Sequence, residues 1–101
     1  MLFEWDDANR NHIAKHGVTT EEAEQVIRNE PIELGIETVT GEERIAHIGE
    51  TDEGRILVVI TTWREERVRV VTSFPANRSS RLRFATEKGK LHEGTDEGTG
   101  V

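Results

Sequence analysis

The twenty residues from Phe3 to Glu22 leave this chain little conformational choice. Phe3 and Trp5 flank Glu4, the alternation of a short strand with one face on a core. Asp6 or Asp7 stands where a helix N-cap belongs, since a short carboxylate accepts from the unpaired N–H groups of a first turn. Gly17 suits the left-handed residue that stops such a helix. Thr19 and Glu22 have the spacing of a capping box, and Val18 with Ala23 the spacing of a hydrophobic staple. The reading is a strand over 3–6, a helix over 7–16, a sharp stop and a second helix over 20–29. His12, Lys15 and His16 fall at i, i+3 and i+4, so two imidazoles and an ammonium share one helical stripe.

The second helix carries Ala23, Val26 and Ile27 as its apolar stripe. Pro31 disfavours helix at Glu30 and ends it. Beyond it, residues 32–39 alternate, with Ile32, Leu34, Ile36 and Thr38 expected on one face, and Gly35 marks a candidate bulge. Strands are expected over 44–50, 55–63 and 67–74, separated by turns. Ile56 to Ile60 is apolar at every position, so that strand is expected to be covered on both faces. Strict alternation in the last strand places Val68, Val70, Thr72 and Phe74 together. Asn77 is positioned to cap a final helix over 78–87. Residues 88–101 read as a disordered Gly/Glu/Thr-rich tail.

The expected architecture is α+β, a single domain over residues 1–87. It has a four-stranded antiparallel sheet, a candidate N-terminal edge strand, two N-terminal helices and a C-terminal helix. Short links favour the antiparallel meander. The chain lacks cysteine, which excludes thiolate chemistry and disulfides and suits the cytoplasm. Its longest apolar run is five residues, too short for a bilayer, and the N-terminus does not read as a signal peptide. The net charge of −7 conceals an asymmetry. Residues 1–63 carry −9, residues 64–90 carry +5 and residues 91–101 carry −3. The basic segment can attract a polyanion, or simply neutralise the acidic half within the fold.

Trp5-Asp6, Asn9, His12 to Thr19 and Glu21 to Glu24 resemble the N-terminal signature of BrnT-like toxins. The Gly54-Arg55 hairpin, the central aliphatic strand and the basic helix with Arg81, Arg83 and Phe84 are similar too. The resemblance spans roughly residues 3–86. It implies a RelE-like fold and a metal-independent ribonuclease that inhibits translation, with no cofactor. It also implies a type II toxin–antitoxin pair: a cognate antitoxin as partner, RNA (free or on the ribosome) as substrate, and DNA reached only through the antitoxin complex. The alternative is a catalytically inactive protein-interaction module of the same fold. A DNA-binding regulator is disfavoured because no helix-turn-helix is apparent.

Metal-free RNA cleavage needs a base for the 2′-OH, an acid for the leaving oxygen and cations for the phosphorane. His12, His16 and Lys15 are candidates for proton transfer, with Arg81 as a further catalytic candidate. Arg64, Arg69 and Arg83 are candidates for phosphate contact. Each has a plainer reading. His16 and Lys15 stand where side chains cap helix carbonyls, His12 can be a polar helix edge, and Arg81 and Arg83 a solvated face. His12 and His16 also have zinc-ligand spacing, with His47 or a carboxylate as a third ligand, but the sequence announces no such third ligand. Trp5 and Trp63 fit packing at strand ends, with base stacking as the alternative.

Overall fold

The computed structural model describes residues 1–96, with side chains through residue 89. The elements run β1 (Phe3–Glu4), α1 (Asp7–Ala14), α2 (Thr20–Arg28), β2 (Ile32–Val39), β3 (Glu42–Glu50), β4 (Ile56–Arg64), β5 (Arg67–Pro75) and α3 (Arg78–Asp96). One sheet of order β1-β5-β4-β3-β2 holds all five strands. The meander β2 to β5 is antiparallel, as its short links require. The expectation of a four-stranded antiparallel sheet is corrected in one respect. β1 joins β5 in parallel, Phe3 beside Val68 and Glu4 beside Arg69, so the sheet is mixed and five-stranded. The alternation at residues 3–6 predicts the edge strand itself; its parallel pairing with a partner 65 residues away has no local signature.

The N-terminal caps form as their residue types dictate. Asp6 accepts from Asn9 N–H at 3.1 Å and its own N–H donates to Asn9 Oδ1 at 2.8 Å, a reciprocal box closed by Asn in the usual Glu/Gln place. Thr19 and Glu22 do the same for α2. Asn77 Oδ1 accepts from Ser80 N–H at the start of α3. That helix runs to Asp96, where the sequence suggested a tail from 88. Glu87, Lys88, Lys90 and Leu91 are adequate helix formers, and Gly89 alone costs only about 1 kcal/mol. Residues 97–101 of the expected tail lie outside the described residues.

Two cores lie on opposite faces of the sheet, and β4 feeds both. Leu57 and Val59 pack with Ile13, Val18, Ala23, Val26 and Val70 under α1 and α2. Val58 packs with Ile48, Ala76 and Phe84 under α3, with Ile56 and Ile60 beside it. That is why five consecutive apolar residues suit this strand: at about 1.5–3 kcal/mol per buried aliphatic side chain, neither face tolerates a polar one. α2 lies close on β3, where a side chain at Gly49 would meet Pro31 Cβ at 3.0 Å and Val26 Cγ1 at 3.1 Å.

Two bulges overturn strict alternation. In β5, Thr61 pairs with Val70 and Ile60 with Thr72, which leaves Val71 as the extra residue. Val70 therefore faces α1 and α2 while Phe74 joins the α3 side, against the expectation that they share a face. In β2 the register slips between Glu33 and Gly35, so Leu34 packs on the α3 side and Ile36 turns outward, 57% exposed. The expected bulge is there, one residue before Gly35.

Candidate active site

β1 ends after two residues, so among the described residues β5 has no strand on its outer side beyond Arg69. α1 lies along that bare edge. The Asn9 side-chain amide donates to Glu4 O and to Val70 O, both at 3.0 Å, and Asn9 is 3% exposed. One amide thus clamps β1 to β5 where backbone pairing stops. His12 is one turn further along the same helical face.

His12 opens onto a cleft of about 210 Å³ that it shares with Glu42 and Arg44 of β3, Arg64 of β4, and Arg69 and Val71 of β5. The alternation of the strands brings the arginines together on the part of the sheet beyond α3. Arg69 is the most fixed, its side chain 12% exposed. It donates to Glu4 Oε1 at 3.0 Å and forks onto Asp6 at 2.9 and 3.2 Å. Hydrogen bonding from Arg69, then Asn9 N–H, holds the Asp6 carboxyl below its ordinary range, and Asp6 pushes the Arg69 guanidinium up. Glu42 is likewise held down by Arg44 and Arg64. Arg64 is looser, half exposed, 3.4 Å from Glu42 and 3.7 Å from Glu4. Three guanidiniums therefore pair with three carboxylates, Glu4, Asp6 and Glu42, which offset much of the positive charge while those pairs hold.

His12 and His16 are both exposed, their ring centroids 5.9 Å apart. His16 meets Phe74 edge-on at 6.1 Å. The capping explanation for His16 and Lys15 is not what the structure shows. At the end of α1, Ile13 O accepts from the backbone N–H groups of His16 and Val18, and Ala14 O from that of Gly17. Gly17 reaches φ +71°, and its carbonyl accepts from Arg55, which also pairs with Glu22 at 3.0 Å. The His16 and Lys15 side chains are exposed, and the donors to those carbonyls are backbone groups.

The remaining candidates lie apart from the cleft lining. Arg81 donates to Ala76 O at 2.8 Å, pinning the turn into α3, and Arg83 is exposed on that helix. His47 is on the α1/α2 side of β3, with Nε2 3.0 Å from Thr61 Oγ1. Among the described residues no three His, Asp or Glu side chains gather to hold a metal. Trp5 packs against the first core and donates from Nε1 to Glu24 at 2.7 Å, whereas Trp63 is 59% exposed. Glu42 and Arg44 were missed as site residues. Their i, i+2 spacing on a strand was the available signal, but it gains meaning only once the register sets them beside Arg64.

The ionisable groups predict acid sensitivity. Burial, partly opposed by Glu33, lowers His47 below its ordinary 6.5. Asp6 and Glu42 are lowered from 3.8 and 4.5 by their arginines, and Glu22 from 4.5 despite burial, through Thr19 and Arg55. All four bind protons more weakly folded than unfolded, so each contributes stability at neutral pH that is lost as pH falls. The Tm is expected to drop first below 6.5, from His47, then more steeply below 4.5. His47→Gln should flatten only the first part. A melting curve unchanged between neutrality and the carboxylate range would refute the His47 contribution.

The fold and the cleft define a small α+β domain with guanidiniums and an imidazole gathered on one open sheet face, equipment suited to a phosphodiester. The family model described as "Ribonuclease toxin, BrnT, of type II toxin-antitoxin system" matches residues 5–80, and the chain belongs to that family. No curated protein matches it. Membership in a type II toxin family implies an antitoxin partner. Among the described residues no helix is long and apolar enough to cross a membrane.

Proposed function

We propose that this chain is a RelE-like, metal-independent endoribonuclease of the cytoplasm that arrests translation until its antitoxin binds. The observation that carries the reading is the convergence of His12 with Arg44, Arg64 and Arg69 in one cleft. His12 takes the 2′-OH proton or protonates the leaving oxygen, and the open flank of the cleft leaves His16 available for the partner step. Arg64 is the phosphate contact, because it is half exposed and its present ion pairs are long. Arg69, held by two carboxylates, orients the cleft and adds field rather than direct contact. Lys15, Arg81 and Arg83 serve the flanking RNA chain.

The complete pairing of the three guanidiniums favours a second reading, an interaction module without catalysis. Induced expression of the chain alone separates the two. The nuclease reading expects growth arrest with RNA fragmentation, and cleavage by the purified protein that persists in EDTA. Normal growth at confirmed soluble expression, with intact RNA, would favour the interaction module. Cleavage abolished by EDTA would remove the metal-independent mechanism.

A further inference from the structure

Trp63 is the one tryptophan that the cores do not use. It stands 59% exposed at the end of β4, next to Arg64 of the cleft. Beside it is a second hollow of about 360 Å³, lined by Gly41, Glu42, Glu43, Ile45, Thr62 and Trp63. Glu42 lines both this hollow and the His12 cleft. Neighbouring residues of a strand face opposite ways, however, so Trp63 and Glu43 stand on the α1/α2 side and Arg64 on the other. The two sites meet only around the ends of β3 and β4. Thr62 Oγ1 donates to Glu43 O at 2.8 Å, tying the hollow's two walls together. Glu43 is exposed, and unlike Glu42 it forms no ion pair among the described residues.

We infer that this hollow is a nucleobase subsite selective for guanine. The inference rests on the ribonuclease reading for its biological use, though not for its binding chemistry. An exposed indole offers a face on which any base can stack. A free carboxylate discriminates among them, because it only accepts hydrogen bonds. Guanine alone presents two adjacent donors, the ring N1–H and the exocyclic amine, to match both carboxylate oxygens. Adenine and cytosine set a ring acceptor beside their amine. Uracil sets its single N–H between two carbonyls. An RNA strand whose phosphate lies on Arg64 reaches Trp63 by turning around the open end of β3 and β4 at Glu42, because the two residues face opposite sides of the sheet.

Intrinsic tryptophan fluorescence tests this with guanosine, adenosine, cytidine and uridine monophosphates as probes, whether or not the protein cleaves RNA. Saturable quenching by the guanosine nucleotide at the lowest concentration is expected. Trp63→Leu removes the reporter, so its binding is followed by calorimetry, where it should be weaker by about tenfold or more, and Glu43→Gln should remove the preference for guanine. Trp63 is exposed and Glu43→Gln is isosteric, so both variants should fold. In parallel, oligonucleotides with one varied base should show a guanine-dependent kcat/KM that Glu43→Gln levels. Equal quenching by all four nucleotides, indifferent to Glu43→Gln, would overturn the guanine assignment. No nucleotide response, or quenching by a penta-arginine peptide alone, would overturn the subsite altogether, the latter marking a docking point for a basic partner. Guanine-selective quenching without RNA cleavage would uphold the subsite while the nuclease reading failed.

Discussion

His12→Ala is expected to lower kcat for RNA cleavage by about two to four orders of magnitude and to change stability by no more than about 0.5 kcal/mol. The ring is exposed and, among the described residues, forms no hydrogen bond and meets only the His16 ring at 5.9 Å. Its removal therefore leaves no cavity and no unpaired partner. The loss should fall on kcat, because proton transfer is an interaction made only in the transition state. Arg64→Ala should reduce kcat/KM, and Arg64→Lys should restore it only in part, since an ammonium lacks the planar fork that grips two phosphate oxygens. Glu42→Gln carries the opposite sign. It releases Arg44 and Arg64 from a competing carboxylate, so RNA should bind more tightly. His16→Ala tests the partner step and should also lower kcat. Its ring borders His12 and Phe74 rather than the arginines. Full activity in His12→Ala with a large loss in His16→Ala would transfer the proton role by one helical turn. Full activity in both would remove the imidazoles from the mechanism.

Local chemistry was legible wherever a feature was complete within a few residues. The Asp6 cap, the Thr19–Glu22 box, the Gly17 stop and the Val18–Ala23 staple all rest on contacts spanning at most five positions. The two-sided burial of β4 was legible because Ile56 to Ile60 admits no polar face. Where a long-range pairing decided the outcome, the sequence was silent. Only the tertiary fold sets β1 beside β5, and only the ladder reveals that Val71 is extra and that Val70 and Phe74 face opposite ways. The site divides in the same manner. His12, Arg64 and Arg69 could be named as residue types suited to the chemistry. That they share a cleft, while Arg81 turns back to Ala76 O, follows from register and helix placement. Glu42 and Arg44 went unnoticed because a charged pair on a hairpin strand resembles any solvated edge.

Asn9→Ala is expected to be the most destabilising polar substitution in the chain, costing about 2–4 kcal/mol and lowering Tm by roughly 10–20 °C. The side chain is 3% exposed and makes three hydrogen bonds. Its oxygen accepts from Asp6 N–H in the α1 cap, and its amide donates to Glu4 O and Val70 O. Truncation to Ala deprives two strand carbonyls of their donor beside a packed core, and an orphaned buried acceptor costs more than the bond itself contributes. Asn9→Asp separates the two roles. It keeps the acceptor for Asp6 N–H and so preserves the cap, but it aims a carboxylate oxygen at two carbonyl oxygens. If capping dominates, Asp should be close to wild type. If the clamp between β1 and β5 dominates, Asp should be at least as damaging as Ala, which is the expected result. The same clamp holds α1 along the bare edge of β5, with His12 one turn away. Both variants should therefore lose RNA cleavage even at temperatures where they remain folded, by displacing the imidazole from Arg64. A Tm within about 3 °C of the parent for both variants would mean that water replaces the amide, and that the packing of Ile13 rather than Asn9 holds the helix in place.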